Sequence, residues 1–207
     1  MNEEVLDELF SFFLRIDQEK KISRQTYLTD KDRKENDAEH AWHMAVMTML
    51  LAPYACEPID ELRTIQMLLI HDLVEIYAGD TYAYDEEGKK SQKDRELEAA
   101  ELLYGSLPKA QGEKLRGIWL EFEEGKTPEA KFARCMDNLQ PMMLNAANHG
   151  ASWEEHKIKL SQILKRNENT GKGSQILWEY AKEKFLRPNV EAGKIIRDVE
   201  LDLEGFD

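Results

Sequence analysis

The chain has 207 residues, and its 28 Lys and Arg residues against 41 Asp and Glu residues give a formal charge of −13. Hydrophobic residues make up 42% of the sequence, which excludes a disordered or fibrous chain and predicts one globular core. The acidic charge argues against partners such as duplex nucleic acid or a membrane surface, and the longest uncharged stretch, residues 44–56, is shorter than the roughly 20 residues of a membrane span.

The start of the chain and its cysteine content bear on the cellular compartment. Glu3 and Glu4 stand where a signal peptide would carry basic residues. Only two cysteines are present, Cys56 and Cys135. A reducing cytoplasm is therefore the expected compartment.

Apolar residues recur at helical spacing through most of the chain without convincing strand-like alternation, so the expected fold class is all-α. The first helix covers residues 5–16, and the polar residues 21–36 are interpreted as a solvated loop. Asn36 and Glu39 predict a capping box for a buried helix that carries the apolar residues 41–55.

The middle of the chain contains two further helices separated by a loop. Asp60 predicts the start of the first, whose pattern continues past Ile70 until Gly79 ends it. Residues 81–90 are interpreted as a surface loop, after which Ser91 is expected to cap the next helix.

The two helices that follow have clear start signals. Pro108 is expected to open the first, which Gly125 ends. Thr127 followed by Pro128 predicts the start of the second, which Pro141 should bend. Ser152 and Ser174 are interpreted as the caps of two last helices, around residues 160 and 178.

The domain organisation expected is a single unit. No repeat, linker or composition shift marks a second domain in residues 1–207. The core is expected over about residues 20–185, with an acidic C-terminal tail over about residues 189–207. Roughly eight helices would then pack as one orthogonal bundle.

Two of the five histidines stand beside a carboxylate in apolar helical sequence, in the pairs Glu39-His40 and His71-Asp72. A buried carboxylate needs a partner or a cation to offset its desolvation, so these pairs indicate a metal site. A structural alternative for His71-Asp72 is a helix-terminal pair with the ring hydrogen-bonded in the core. Glu75 lies four residues after His71 on the same helical face, where it would orient or deprotonate a water beside the ion.

A fourth ligand is expected from a distant segment. Asp137 is the best candidate because it lies in mid-helix among apolar residues; the alternative is an ion pair with Arg134 one turn earlier. Two imidazoles and two carboxylates suit one divalent ion, Mn²⁺, Co²⁺, Fe²⁺, Zn²⁺ or Mg²⁺. Asp80 and Thr81, after Gly79, are placed where they would meet a ligand.

Three ordered motifs carry a resemblance that covers roughly residues 20 to 185. They are Glu39-His40-Ala41-Trp42, the run from His71-Asp72 to Gly79-Asp80, and the run from Ala130 to Asp137. Together they resemble the HD-domain metal-dependent phosphohydrolases, and more closely the 5′-deoxynucleotidase-like branch of that family. The resemblance implies an all-α bundle of the HD-domain type.

The resemblance also implies the roles of individual residues. One divalent ion would be held by His40, His71, Asp72 and Asp137, and the catalytic glutamate of the family falls on Glu75.

Two further residues are matched to substrate contacts by the resemblance. Arg24 falls where the family has a basic residue that meets the phosphate, and Asp80 is the acid of the Gly-Asp turn. Gln25 stands where the bacterial deoxynucleotidases have a Trp associated with deoxyribose preference, and Thr81 and Tyr82 also depart from their pattern.

The other candidate residues are assigned to packing. His43 is interpreted as a core histidine, with a supporting role beside His40 as the alternative. The aromatic and sulfur side chains expected in the core are Trp42, Trp119, Trp153, Trp178, Cys56 and Cys135.

The leading hypothesis is a metal-dependent phosphomonoesterase that removes phosphate from nucleoside or deoxynucleoside 5′-monophosphates by attack of a metal-activated water. One alternative is hydrolysis of a nucleoside triphosphate or another phosphate ester, for which the extra basic residues would be Lys89, Lys90 and Lys93. The other is an HD bundle that binds a ligand without catalysis. The resemblance further implies a homodimer, in keeping with the many apolar helical positions.

Overall fold

The computed structural model describes residues 3–84 and 87–201, and most of these residues lie in helices. The α-helices in chain order are α1 Glu3–Ile16, α2 Asp37–Leu51, α3 Glu61–Ile70, α4 Glu75–Ala78, α5 Lys89–Tyr104, α6 Lys109–Glu124, α7 Pro128–Ala147, α8 Ala151–Glu155, α9 Leu160–Arg166, α10 Thr170–Gly173, α11 Gln175–Ala181 and α12 Arg187–Glu191. Short 3₁₀ segments cover Asp17–Lys21, Ala52–Tyr54 and His71–Val74, and a π-helical turn covers Lys182–Leu186. The predicted all-α class is confirmed.

The segment predicted as a solvated loop is instead a β-hairpin. Strand β1, Ser23–Tyr27, pairs antiparallel with β2, Lys34–Asn36. Thr26 and Glu35 are buried, so the face of the hairpin that packs on the helices is polar. The loop prediction was wrong because a polar buried face gives no apolar alternation to detect.

The capping box of α2 is confirmed, but the helix is only half buried. The Asn36 side chain accepts a hydrogen bond from the Glu39 N–H at 3.0 Å, and the Glu39 carboxylate accepts one from the Asn36 N–H at 3.1 Å. The outer face of α2 is exposed, and Trp42 on it is 62% exposed, so its expected place in the core was wrong.

The predicted third helix is divided into three segments. Asp60 caps α3, as expected, by accepting from the Arg63 N–H at 3.0 Å. A 3₁₀ segment then covers His71–Val74, and the short α4 ends at Gly79, whose φ of +75° favours glycine. The tighter 3₁₀ winding places the His-Asp pair between two α-helices.

The boundaries of α5, α6 and α7 agree with the predictions except at Ser91. Helix α5 begins at Lys89, so Ser91 lies inside its first turn. Pro108 precedes α6, and Gly125 ends it in the left-handed region at φ +59°. Thr127 accepts from the Ala130 N–H at 3.2 Å and so caps α7.

The two late serine caps had different outcomes. Ser174 caps α11 by accepting from the Leu177 N–H at 3.3 Å. Ser152 lies inside α8, and the helix around residue 160 is instead preceded by Lys159, so that prediction was wrong.

The core is centred on α7, which packs against α2, α3, α6 and α10. A second apolar cluster joins α1, α5 and α6. Ile195, beyond α12, is buried in the main cluster, whereas residues 202–207 of the expected tail lie outside the described residues. The remaining tryptophans and Cys135 are buried as expected, but Cys56 is exposed. None of the described helices combines the length and apolar character needed to cross a membrane.

Candidate metal centre

Three of the predicted ligands form one cluster, and the fourth, Asp137, lies beside its two imidazoles, although the four come from three segments. His40 lies in the first turn of α2, His71 and Asp72 in the 3₁₀ segment, and Asp137 in the middle of α7. His40 Nε2 lies 3.1 Å and His71 Nε2 3.9 Å from Asp137 Oδ1. Ligand atoms of His40, His71 and Asp72 all lie within 4.8 Å of one another.

Both imidazoles turn Nε2 toward Asp137. His71 Nδ1 lies 3.0 Å from the Leu68 carbonyl oxygen, so Nδ1 carries the proton and donates it. His71 Nε2 is buried without a hydrogen-bond partner, although it lies 3.0 Å from Asp72 Oδ2. Burial lowers the pKa of His71, but Asp72 and then Asp137 together outweigh burial and raise it to about 9, so positive charge is favoured here. A ring nitrogen without a hydrogen-bond partner beside two carboxylates therefore fits a divalent cation.

His40 is held by a buried side-chain network. Its Nδ1 lies 2.8 Å from Gln140 Oε1, which accepts the proton and leaves Nε2 as the ligand atom. The Gln140 amide donates to Glu35 Oε2 at 2.9 Å and lies 3.2 Å from His43 Nδ1. His43 therefore supports His40 through Gln140, which was the alternative reading of this residue.

A cavity is lined by His71, Asp72 and Asp137, and Glu75 lies in its wall. Beside Glu75 is a carboxylate that the sequence reasoning did not single out. Asp37, fully buried at the start of α2, lies close enough for its charge to act on Glu75. Burial first, and then the charges of Asp72 and Asp37, raise the pKa of Glu75 to about 12, and burial raises the pKa of Asp37 to about 7. Raised pKa values at two neighbouring buried carboxyls indicate a pocket crowded with acidic groups, where a divalent ion would be bound favourably.

The predicted substrate residues lie in the same cavity. Arg24 on β1 donates from Nη1 to Asp72 Oδ2 at 2.8 Å and to Asp37 Oδ1 at 3.2 Å. Asp80 lines the cavity just after Gly79, and burial raises its pKa. Gln25 also lines the cavity, where its side-chain oxygen accepts from Lys34 at 2.6 Å.

The structural alternative for Asp137 is not observed. Arg134 instead donates to the Phe122 carbonyl oxygen at 3.0 Å and lies 3.7 Å from Glu123. The cation nearest the outer oxygen of Asp137 is Arg166, whose Nη2 lies 3.9 Å from Oδ2.

Sequence reasoning missed four residues of the site: Glu35, Asp37, Gln140 and Arg166. Asp37 looks like an ordinary acidic residue of a helix start, and Arg166 like a helix-end basic residue. The one usable signal was Gln140, a polar residue three positions after Asp137 in an apolar helix.

The chain is similar to known proteins in both sequence and structure. The family model described as HD domain matches residues 16–178. The human protein named 5′-deoxynucleotidase HDDC2 is 28% identical over 142 residues, which are 68% of this chain and 68% of the human one. Its namesake from Dictyostelium discoideum is 30% identical over 137 residues, 63% of this chain and 72% of the relative.

A solved structure is similar over nearly the whole length. The crystal structure of a predicted metal-dependent phosphohydrolase from Magnetospirillum magnetotacticum MS-1 has a TM-score of 0.88 to this fold. Its sequence is 41% identical, and the match covers 94% of this chain and 97% of that one.

Proposed function

This chain belongs to the HD domain family, and we propose that it is a metal-dependent phosphohydrolase that releases orthophosphate from nucleoside or deoxynucleoside 5′-monophosphates. The observation that carries the proposal is the cluster of His40, His71 and Asp72, with the carboxylate of Asp137 beside both imidazoles. The relatives named 5′-deoxynucleotidase support the class of substrate.

The proposed ligands of one divalent ion are His40, His71, Asp72 and Asp137. When bound, the ion supplies Lewis-acid polarisation of a phosphoryl oxygen and a lowered pKa of the attacking water. The mixed nitrogen and oxygen donor set suits Mn²⁺, Co²⁺, Fe²⁺, Zn²⁺ or Mg²⁺.

Glu75 is the proposed general base. Its buried carboxyl lines the cavity beside the ligand cluster. In the ionised form, favoured by a nearby cation, Glu75 would accept the proton of the attacking water.

Arg24 and Asp80 are the proposed substrate contacts. The guanidinium of Arg24 is within hydrogen-bond reach of Asp72, so it lies next to any phosphoryl group that reaches the centre. Asp80 lies at the opposite end of α4, where its carboxylate would accept from a hydroxyl of the sugar.

The experiment is a nucleotide panel crossed with metals. Chelated protein should release orthophosphate from nucleoside 5′-monophosphates only after Mn²⁺, Co²⁺ or another divalent ion is restored. Pyrophosphate or tripolyphosphate released from triphosphates would favour the triphosphohydrolase alternative. Protein that takes up no metal in titration and turns over no nucleotide would instead be a binding protein.

We extend the proposal to the organisation of the protein. One domain over residues 1–207 is supported by the packing of Ile195 in the main cluster. A cytoplasmic location is supported by the two unpaired cysteines. A homodimer is supported by exposed apolar side chains on α1 and α2.

A further inference from the structure

Three arginines line the cavity that leads to the metal centre, namely Arg24, Arg134 and Arg166. The same cavity is lined by a larger number of acidic residues: Asp72, Glu75, Asp80, Glu96, Glu123 and Asp137. A phosphate dianion entering this cavity would therefore gain from a further cation whose N–H groups are not already used in hydrogen bonds, beside the contact proposed for Arg24.

Two of the three arginines are committed to partners inside the protein. Arg24 has a side chain only 15% exposed and donates to Asp72 and Asp37. Arg134 donates to the Phe122 carbonyl oxygen, and its guanidinium lies over the Phe122 ring at 5.4 Å.

Arg166 differs from both. Its side chain is 29% exposed, and its closest ion pair within residues 3–84 and 87–201 is the 3.9 Å approach of Nη2 to Asp137 Oδ2. That distance is beyond hydrogen-bond length, so the fork of guanidinium donors faces the cavity with its hydrogen-bonding capacity available.

The backbone that carries Arg166 is fixed relative to α7. The next residue, Asn167, is buried and donates to the Ile163 carbonyl oxygen at 2.8 Å. Thr170 donates to Asn167 Oδ1 at 3.4 Å and accepts from Asn138, the neighbour of Asp137, at 2.9 Å. The end of α9 is thus tied to the turn of α7 that presents Asp137, which preorganises the arginine.

We propose that Arg166 is a second substrate-binding arginine, which donates two hydrogen bonds to the non-reacting oxygens of the substrate phosphate. The guanidinium is planar and its paired N–H groups match two phosphate oxygens, which a lysine cannot do. The inference rests on the proposed function for the identity of the substrate, but the contact itself requires only a phosphate group.

The test measures phosphate binding and metal content separately. Orthophosphate is titrated calorimetrically into Mn²⁺-loaded wild type, Arg166→Gln and Arg166→Lys, and bound metal is measured in each protein. Arg166→Gln should weaken phosphate binding about 10- to 100-fold, as expected for lost charge-assisted hydrogen bonds, and Arg166→Lys should lie between. Metal content should not fall, because a cation beside Asp137 competes with the ion rather than helping to hold it.

Two controls separate this role from a structural one. Arg187→Gln removes a partly exposed arginine that pairs with Glu183 outside the cavity, and it should leave phosphate affinity unchanged. Binding of an unphosphorylated nucleoside should be the same in wild type and Arg166→Gln.

Unchanged phosphate affinity in Arg166→Gln would overturn the inference. So would loss of metal in step with phosphate, because Arg166 would then act by positioning Asp137. If Arg166→Gln does not fold, the phosphate affinity of Arg166→Lys decides instead, provided that this variant has the melting temperature of the wild type. If the wild type hydrolyses no nucleotide, the proposed function fails while the phosphate titration still decides the role of Arg166.

Discussion

Glu75 and the metal ligands touch the same cavity but should respond differently to substitution. Glu75→Gln keeps the size of the side chain and removes the proton acceptor. We expect kcat to fall about 10²- to 10⁴-fold while metal and nucleotide remain bound. Steady-state kinetics together with metal analysis measures this, with the exposed Glu98→Gln on α5 as the control.

The contrasting variant is Asp137→Asn, in which metal content and activity should fall together because a ligand is lost. An empty site in Glu75→Gln, or full metal occupancy and turnover in Asp137→Asn, would show that the roles are assigned wrongly.

Gln140 tests the support beneath His40. Replacement by Leu removes the acceptor that holds the proton of His40 Nδ1 and leaves the buried Glu35 without its donor. Supporting residues of this kind typically change metal affinity by about 10- to 100-fold, and we expect a loss in that range from metal titration. A variant that binds metal as tightly as the wild type would contradict this role.

The ligands could be predicted at the residue scale, but their supports could not. His71-Asp72 and His40 are unusual in apolar sequence, so the cost of burying them is visible from the sequence alone. Gln140 and Glu35 are ordinary polar residues until the fold brings them together across 105 positions. Arg24 was found only through the resemblance, since no local pattern distinguishes it.

The 3₁₀ segment Asp17–Lys21, which follows α1, contains the buried acid Glu19, whose contribution to the free energy of unfolding depends on pH. Burial, and then the charge of Asp72, raise the pKa of Glu19 to about 7 from an ordinary value of 4.5. The folded state thus binds this proton more tightly than the unfolded chain does. Its stabilising contribution is complete below about pH 4.5 and is lost as pH rises through 7.

Glu19→Gln is neutral at every pH and should therefore be more stable than the wild type at pH 8, by up to about 3 kcal/mol. The difference should disappear near pH 4.5. Urea unfolding of chelated proteins at both pH values measures it, with the exposed Glu8→Gln on α1 as the control. Equal stability of Glu19→Gln and wild type at pH 8 would contradict the raised pKa.

At the scale of elements, prediction succeeded where local chemistry decides the structure. The capping box at Asn36, the cap at Thr127 and the stop at Gly79 each depend on neighbouring residues. The prediction for the segment of β1 and β2 failed because the hairpin there depends on the packing of its polar residues on α2 and α7. The Ser91 and Ser152 caps failed because a serine is accepted inside a helix as well as before one.

At the scale of the whole molecule, helices α1 and α2 each carry a stripe of exposed apolar side chains with the same spacing. Each stripe has apolar side chains at positions i, i+4, i+7 and i+8: Leu6, Phe10, Phe13 and Leu14 on α1, and Trp42, Val46, Met49 and Leu50 on α2. Exposed apolar stripes of this kind mark surfaces that another protein covers. The occupant we expect is a second copy of the chain.

Sedimentation at micromolar concentration should show a dimer of the 24.1 kDa chain. Leu50→Glu places a charge in the stripe of α2 and should shift the protein to monomer. Leu102→Glu alters a leucine of similar exposure on α5 and should not. A wild type that sediments only as a monomer would contradict the dimer.

The spacing of the ligands along the chain gives the cation a mechanical consequence as well as a chemical one. His40 and Asp137 are 97 positions apart, with the His-Asp pair between them. An ion held by all of them would close two long loops at once. The free-energy cost of closing a loop rises by only about 0.6 kcal/mol for each doubling of its length, so the length of these loops adds little to that cost. The cation would thus act as a cross-link of the native chain, and its removal would release α2, the 3₁₀ segment His71–Val74 and α7 from one another together.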